Sequence, residues 1–307
     1  MSTSTSDSLP LEPPAATKPI ISKPAFASLP DRPLITIEPR KTWLTLDLRG
    51  LWEYRELLYF LTWRDLKIRY KQTALGVAWV VMQPLMMTVI FTLFLGKLAR
   101  VPSDGVPYPL FVFAGMLAWL FVSSSIVASG SSLVGSSNLI TKVYFPRIII
   151  PTAVVCGRLF DLFVSLFVFI GIMIYYHVGV TRNILMIPVL LILMVLLALA
   201  VGMWASAVNV KYRDVAVALP VLIQFWMFTS PVVYPSSLVL SARVPMIWQW
   251  LYTMNPMVGI IDNFRAAIFG GAFNWPALIA AAGITIVLFS YAIYEFRRLE
   301  ASFADLI

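Results

Sequence analysis

Arg64-Asp65-Leu66-Lys67-Ile68-Arg69-Tyr70-Lys71-Gln72-Thr73-Ala74-Leu75-Gly76 holds five charges in its first eight residues, and after Lys71 the chain carries none until Lys97. A helix of a water-soluble protein keeps a solvated face and a core face side by side along its whole length. Here the change runs along the sequence instead, so the surroundings of the chain change from water and head groups to hydrocarbon. The block marks the point at which the chain passes into a membrane.

Composition points the same way. Hydrophobic residues make up 60% of the 307 residues and charged residues 12%, against roughly 45–50% and 25% in soluble domains. So little polar surface does not cover so apolar a chain in water. A net charge of +8 would suggest nucleic acid as the partner of a soluble protein. In a membrane protein the loops that carry the charge matter more than its sum, and no nucleic-acid partner is expected. The lone Cys156 rules out an internal disulfide framework and any cysteine-rich metal or redox centre. The lone His177 reads as a residue at a helix end, and no metal site is expected.

Working outward, residues 1–50 are rich in Ser, Thr and Pro without sustained periodicity, and are expected to form a disordered cytoplasmic tail. They lack the basic start and compact apolar run of a signal peptide. Residues 51–72 read as an amphipathic helix lying on the membrane surface. At 100° per residue Glu53, Glu56, Arg64, Lys67 and Lys71 share a polar stripe, while Tyr54, Leu57, Leu58, Leu61 and Ile68 share an apolar one. Asp65 and Arg69 complete its charged end. Trp52, Trp63 and Tyr70 fall between the stripes, as rings do at a head-group boundary.

Six spans are expected, at about 76–96, 108–130, 148–176, 184–208, 215–234 and 275–295, making residues 73–297 an all-α polytopic domain with a short cytoplasmic tail at 298–307. Apart from Glu295 at the end of the last, five of them contain no Asp, Glu, Lys or Arg. The third contains Arg158 and Asp161, three apart and so on one helical face. Pairing offsets much of their cost in lipid, and a structural ion pair is the reading favoured over an ion-coupling site. Pro84 is expected to weaken the first span near Val80 and let it bend.

Basic residues set the orientation. With the amino end inside, the inner side receives ten of them, namely Arg64, Lys67, Arg69, Lys71, Lys142, Arg147, Lys211, Arg213, Arg297 and Arg298. The outer side receives five, Lys97, Arg100, Arg182, Arg243 and Arg265. That bias places both termini in the cytoplasm. Between the fifth and sixth spans, Pro245 and Pro256 break up 235–274. A seventh, Pro-broken span would leave Arg297 and Arg298 outside. The expectation is a pair of short helices that dip into the outer leaflet and return, which irregular backbone does only where protein or a water-filled cavity covers it.

The sequence has no G-x-x-x-x-G-K-[ST] loop, since Gly96-Lys97 lacks the preceding glycine and the following hydroxyl. It has no H-E-x-x-H, no nucleophile elbow and no paired carboxylates at acid–base spacing. No catalytic residue is expected, and energy for uphill transport must come from a gradient or from another subunit. The inner loop from Asn138 to Arg147 points to a partner. Asn138 is expected to cap a short helix, Pro146 to end it and Pro151 to restart the chain in the bilayer. Leu139, Ile140, Val143 and Tyr144 below the membrane call for something to receive them, with Lys142, Phe145 and Arg147 beside them. Lys211, Tyr212, Arg213 and Asp214 form a second, shorter inner loop.

Five segments in this order and spacing, RDLKIRYKQTALGVAWVVMQPL (64–85), NLITKVYFPRIIIP (138–151), NVKYRDV (209–215), SPVVYP (230–235) and NPMVGIIDNFRAAIFG (255–270), resemble the membrane subunit of ABC-2 type polysaccharide exporters. That family includes permeases for lipopolysaccharide O-antigen, capsule and teichoic acid. The resemblance covers about residues 50–300 and leaves the Pro-rich tail outside. It implies a homodimer in the bacterial inner membrane, each subunit docked on a separate cytoplasmic ATPase that binds the ATP and Mg. By position, 51–72 is similar to the interfacial helix beside the ATPase. Asn138 to Arg147 is similar to the coupling helix that enters a groove on it, and 243–254 with 256–270 to short gate helices on the outer face. A lipid-linked polymer, O-antigen first among the family's cargoes, would thread between the subunits. Sugar rings suit a path of aromatic rings and hydroxyls, for which Trp79, Trp119, Phe121, Phe225, Trp226, Phe228 and Tyr234 are candidates, with Ser123, Ser124, Thr229 and Ser230 nearby.

Overall fold

The charge-to-hydrocarbon junction falls between two helices of a computed structural model that describes residues 52–71, 76–179, 181–241, 245–300 and 303. The proposed tail at 1–50, the link 72–75 and Arg243 lie outside the described residues. Helix α1 (Arg55–Lys71) precedes the junction and α2 (Ala78–Phe91) follows it, extended by a π-helical turn over Thr92–Leu98. Then come α3 (Tyr108–Gly130), the short α4 (Ser132–Gly135) and α5 (Ser137–Lys142), and α6 (Ile149–Tyr175). A 3₁₀ turn (Arg182–Met186) leads into α7 (Ile187–Lys211), followed by α8 (Val215–Phe228), α9 (Ser236–Ser241), α10 (Met246–Thr253), α11 (Pro256–Phe269) and α12 (Trp275–Glu300). No strand occurs among the described residues.

Among the described residues five helical segments have the length and apolar character to cross a membrane: Ala78–Leu98, Tyr108–Gly130, Ile149–Tyr175, Arg182–Lys211 and Trp275–Glu300. The span expected at 215–234 is shorter than the sequence reading. Helix α8 has 14 residues, about 21 Å at 1.5 Å per residue, against roughly 30 Å of hydrocarbon. The reason is local. Pro231 has no amide to continue the helix, and Val232 bonds back to the Ser230 carbonyl at 2.7 Å. The chain therefore turns at the residues that the hydropathy pattern counts as span.

Helix α3 is the centre of the molecule, packed by α2, α6, α7, α8 and α11. Of its apolar window 83% is buried, against 11% for Ala78–Leu98, so α2 forms an outer wall. Small residues let α3 and α7 approach closely, as helices do where packing rather than hydrophobic exclusion joins them. A methyl group on Gly202 would lie 2.7 Å from Ser129 Oγ, and Asn209 Nδ2 donates to the Gly130 carbonyl at 3.0 Å. Helix α11 is buried along nearly its whole length. Its Gly259 lies so close to α12 that a Cβ would sit 2.2 Å from the Ala277 carbonyl.

Helix α1 packs on α6 through a second apolar cluster, where Tyr54, Leu57, Leu58 and Leu61 meet Ile149, Ile150 and Ala153. Thr62 Oγ1 donates to the Ala153 carbonyl at 3.3 Å. The apolar stripe is narrower than expected: Ile68 is exposed, as are Tyr59 and Phe60 on other faces. Helix α2 runs through Pro84 in α form, and its hydrogen bonding changes only later, at Thr92–Leu98. The Val80 carbonyl, whose helical donor Pro84 removes, takes the Ser165 hydroxyl of α6 at 3.5 Å. His177 stands just past α6 with φ 55°, at the helix end where the sequence places it.

Candidate functional site

The loop from Asn138 to Arg147, expected on the inner side, is a tip on a fixed base. Ile140 and Phe145 are buried with Leu133, Ile148, Val210 and Phe296. Between them Lys142 and Val143 are exposed, and Tyr144 is 90% exposed. A groove of ≈ 290 Å³ runs beneath, lined by residues 140–145 and Arg147. Asn138 is not the cap: Ser136 holds that position without a side-chain bond, and Asn138 lies exposed in the first turn. The helix ends at Lys142, four residues before Pro146. Leu139 is half-buried against the base.

Arg147 does not face outward with Tyr144. Its guanidinium donates to the Glu300 carbonyl, its amide donates to the Glu300 carboxylate at 3.3 Å, and it lies 5.7 Å from the ring of Phe303. Phe303 is buried edge-to-face on Phe296. The base of the loop is thus closed by the end of α12, 153 residues away in sequence. Lys211, Arg213 and Asp214 are exposed at the end of α7, with Lys211 Nζ 5.1 Å from the Tyr212 ring. Both loops spring from the same apolar cluster, to which α7 contributes Ala207 and Val210.

The Arg158–Asp161 pair is a larger assembly. Asp161 accepts from Arg69 Nη1 at 2.6 Å, from Arg158 Nη1 at 3.3 Å and from the Tyr70 hydroxyl. Burial, then the Asp161 carboxylate, pushes the Tyr70 hydroxyl up to about 12, so it stays protonated and donates. Arg69, grouped by sequence with the outward charges of α1, is thereby drawn inward. The others stay on the surface: Lys67 lies 5.6 Å from the Trp63 ring, Arg64 bonds Asp65 at 2.9 Å, and Lys71 is exposed.

The aromatic candidates do not form one stripe. Trp79, Phe225 and Phe228 are exposed, whereas Trp119 and Phe121 are buried. Trp119 meets Trp226 edge-to-face at 5.7 Å, and Trp226 Nε1 donates to Asn255 Oδ1 at 2.9 Å. Tyr234 donates to the Phe228 carbonyl at 3.1 Å. Asn255 also caps α11 by accepting from the Met257 amide, and donates to the Thr229 carbonyl and Ser230 Oγ. It ties the end of α8 to the start of α11.

Sequence reading counts Arg265 among the outer-side charges, on a short re-entrant helix. In the structure it is buried at 6% exposure. Its Nη1 and Nη2 each donate at 2.6 Å, to the carbonyls of Pro231 and Val232, and Nε donates to that of Phe111 at 3.1 Å. The guanidinium stacks 3.5 Å from the Phe111 ring centre. Gly115 makes room for it, since a Cβ there would lie 2.4 Å from Arg265 Nη2. Among the described residues no cluster of His, Cys, Asp and Glu is fit to hold a metal ion.

Comparison with known proteins gives these features a context. The chain is 31% identical over 259 residues to the "O-antigen export system permease protein RfbA" of Myxococcus xanthus, covering 82% of this chain and 96% of that one. It is 26% identical over 257 residues to the Klebsiella pneumoniae protein of that name, covering 82% and 95%. It is 22% identical over 248 residues to the "Polysialic acid transport protein KpsM" of Escherichia coli, covering 76% and 91%. The profile of the ABC-2 type transporters matches residues 56–269, which run from α1 through α11. The exposed loop tip, the buried turn and four of the five spans lie in or between matched helices, with Trp275–Glu300 beyond them, and the chain belongs to the ABC-2 type transporter family.

Proposed function

We propose that the chain is the membrane subunit of an exporter of lipid-linked polysaccharide, with O-antigen as the cargo class. Two relatives carry O-antigen export in their names and a third polysialic acid transport, so a polymeric glycan is common ground. Energy comes from a separate cytoplasmic ATPase that binds ATP and Mg, and the chain itself carries no catalytic residue. Two copies form the path, through the bacterial inner membrane, with both termini cytoplasmic. Helix α8 and the turn after it complete a sixth crossing. Helices α10 and α11 make the returning pair, and α1 lies at the inner head groups.

The observation that carries this reading is Tyr144, 90% exposed at the tip of a loop whose rear side chains, Ile140 and Phe145, are buried. A large ring held out from a fixed base has the form of an interface anchor. The experiment is export reconstituted with the partner ATPase. Tyr144→Ala should lower export at least roughly tenfold, the worth of one anchor residue, while insertion and thermal stability stay unchanged. Unchanged export, or purification without any Walker-type partner, would overturn the proposal.

A further inference from the structure

A cleft of ≈ 250 Å³ opens where the end of α1 meets α2, α3 and α6. Its charged lining is Arg69, Arg158 and Asp161: two guanidinium groups against one carboxylate, a surplus of one positive charge. The carboxylate already serves three donors. Oδ2 accepts from both arginines and Oδ1 from Tyr70. Arg158 receives only the longer contact, 3.3 Å, and its buried Nε has no hydrogen-bond partner among the described residues. A buried donor left unpaired is destabilising, and an unneutralised cation beside hydrocarbon is more so. An anion that bridges both forks would remove both costs.

The remainder of the lining describes that anion. Trp79, Pro84, Leu117 and Phe121 give the cleft an apolar wall, and Gln83 adds a polar group. Helix α6 has 27 residues, about 40 Å, which overruns roughly 30 Å of hydrocarbon by about 10 Å. Arg158 is its tenth residue, near the boundary if the excess lies at that end, as the contact with the charged end of α1 requires. The ligand therefore carries a compact anionic head and a hydrocarbon tail. Guanidinium forks match phosphate oxygens two at a time, and basic pockets between membrane helices are places where phosphate head groups lodge.

We infer that this cleft binds the phosphate head group of a lipid, with Arg158 and Arg69 on the phosphate and the tail along Trp79 and Phe121. The export reading enters only in the choice of natural lipid, a membrane phospholipid or the phosphate-bearing carrier of the cargo.

The test needs no transport, so it stands or falls apart from the export reading. Native mass spectrometry of the purified chain would measure retention of phosphatidylglycerol, of a polyprenyl diphosphate, and of diacylglycerol as a phosphate-free control. Both phosphate lipids should be retained over diacylglycerol, and whichever displaces the other identifies the source. Arg158→Gln should weaken retention at least roughly tenfold, as loss of a charge-assisted contact does. Arg69→Gln, at a partly exposed position, serves the same end if Arg158→Gln fails to fold. Asp161→Asn reverses the sign: it raises the surplus to two charges, so phosphate lipids should be held as well or better, and added phosphatidylglycerol should raise the thermal stability of this variant more than that of wild type. If Asp161→Asn loses lipid as fully as Arg158→Gln, or if diacylglycerol binds equally, the cluster is a structural ion group and the inference fails.

Discussion

Two arginine sites among the described residues, Arg265 buried and Arg158 partly buried, solve one problem in opposite ways. Among the described residues Arg265 makes no ion pair: Asp262, three residues before it, acts on it only through space, and three backbone carbonyls and an aromatic face take up its donors. Arg158 has a carboxylate three residues away and shares it with Arg69 and Tyr70. The first is closed on all sides, the second opens on a cleft. A cation held at all three nitrogens by fixed backbone dipoles acts as a fastener. One left short of partners beside an opening has capacity to spare for a ligand.

Three substitutions test that contrast. Arg265→Met is expected to have the largest effect, at least about 3 kcal/mol of destabilisation, because two short charge-assisted bonds are lost at roughly 1.5–3 kcal/mol each. Poor recovery of the folded protein, with a lowered melting temperature for what remains, is the result expected; a melting curve like that of wild type would show that the carbonyls do not depend on the guanidinium. Gly115→Ala comes next, at about 1–3 kcal/mol, since the added methyl must displace Arg265 or the Val232 carbonyl. If it melts as wild type does, the fit around Arg265 is looser than described. Arg69→Gln is expected to have the smallest effect on stability, under about 1 kcal/mol, because its ion pair is part-exposed and Arg158 keeps the carboxylate. A change as large as that of Arg265→Met would erase the distinction between the two sites.

The long spans were legible in the sequence because each is a local property, some twenty consecutive residues choosing hydrocarbon. The short helix Ser137–Lys142 was legible for a similar reason, as polar and apolar residues alternate within a dozen positions. What the sequence concealed depends on partners far along the chain. Asp161 finds Arg69 92 residues back, so a local pair became part of a larger cluster, and a double change at Arg158 and Asp161 would strand Arg69. Arg147 finds Glu300 153 residues on, which takes it off the exposed tip. Helix α8 looked long enough to cross because Val232, Val233 and Tyr234 are apolar, and hydropathy does not register the turn that Pro231 imposes. Arg265 read as one more outer-side charge on a short re-entrant helix. A signal was present nonetheless, in an arginine set in the otherwise mostly apolar run Pro256–Phe269, where burial of the helix obliges the charge to find acceptors.

The Arg265 clasp has a consequence for how the protein is made. Its acceptors, on Phe111, Pro231 and Val232, lie 154, 34 and 33 residues upstream, so the ribosome delivers the lock before the key. By the time the arginine emerges, the segments that will hold it have already been synthesised, and an insertase handling α11 need not leave a bare cation in lipid to wait for its partners. Reversing that order, as a circular permutation opened between α8 and α11 would, leaves the folded contacts the same on paper but makes the guanidinium arrive first.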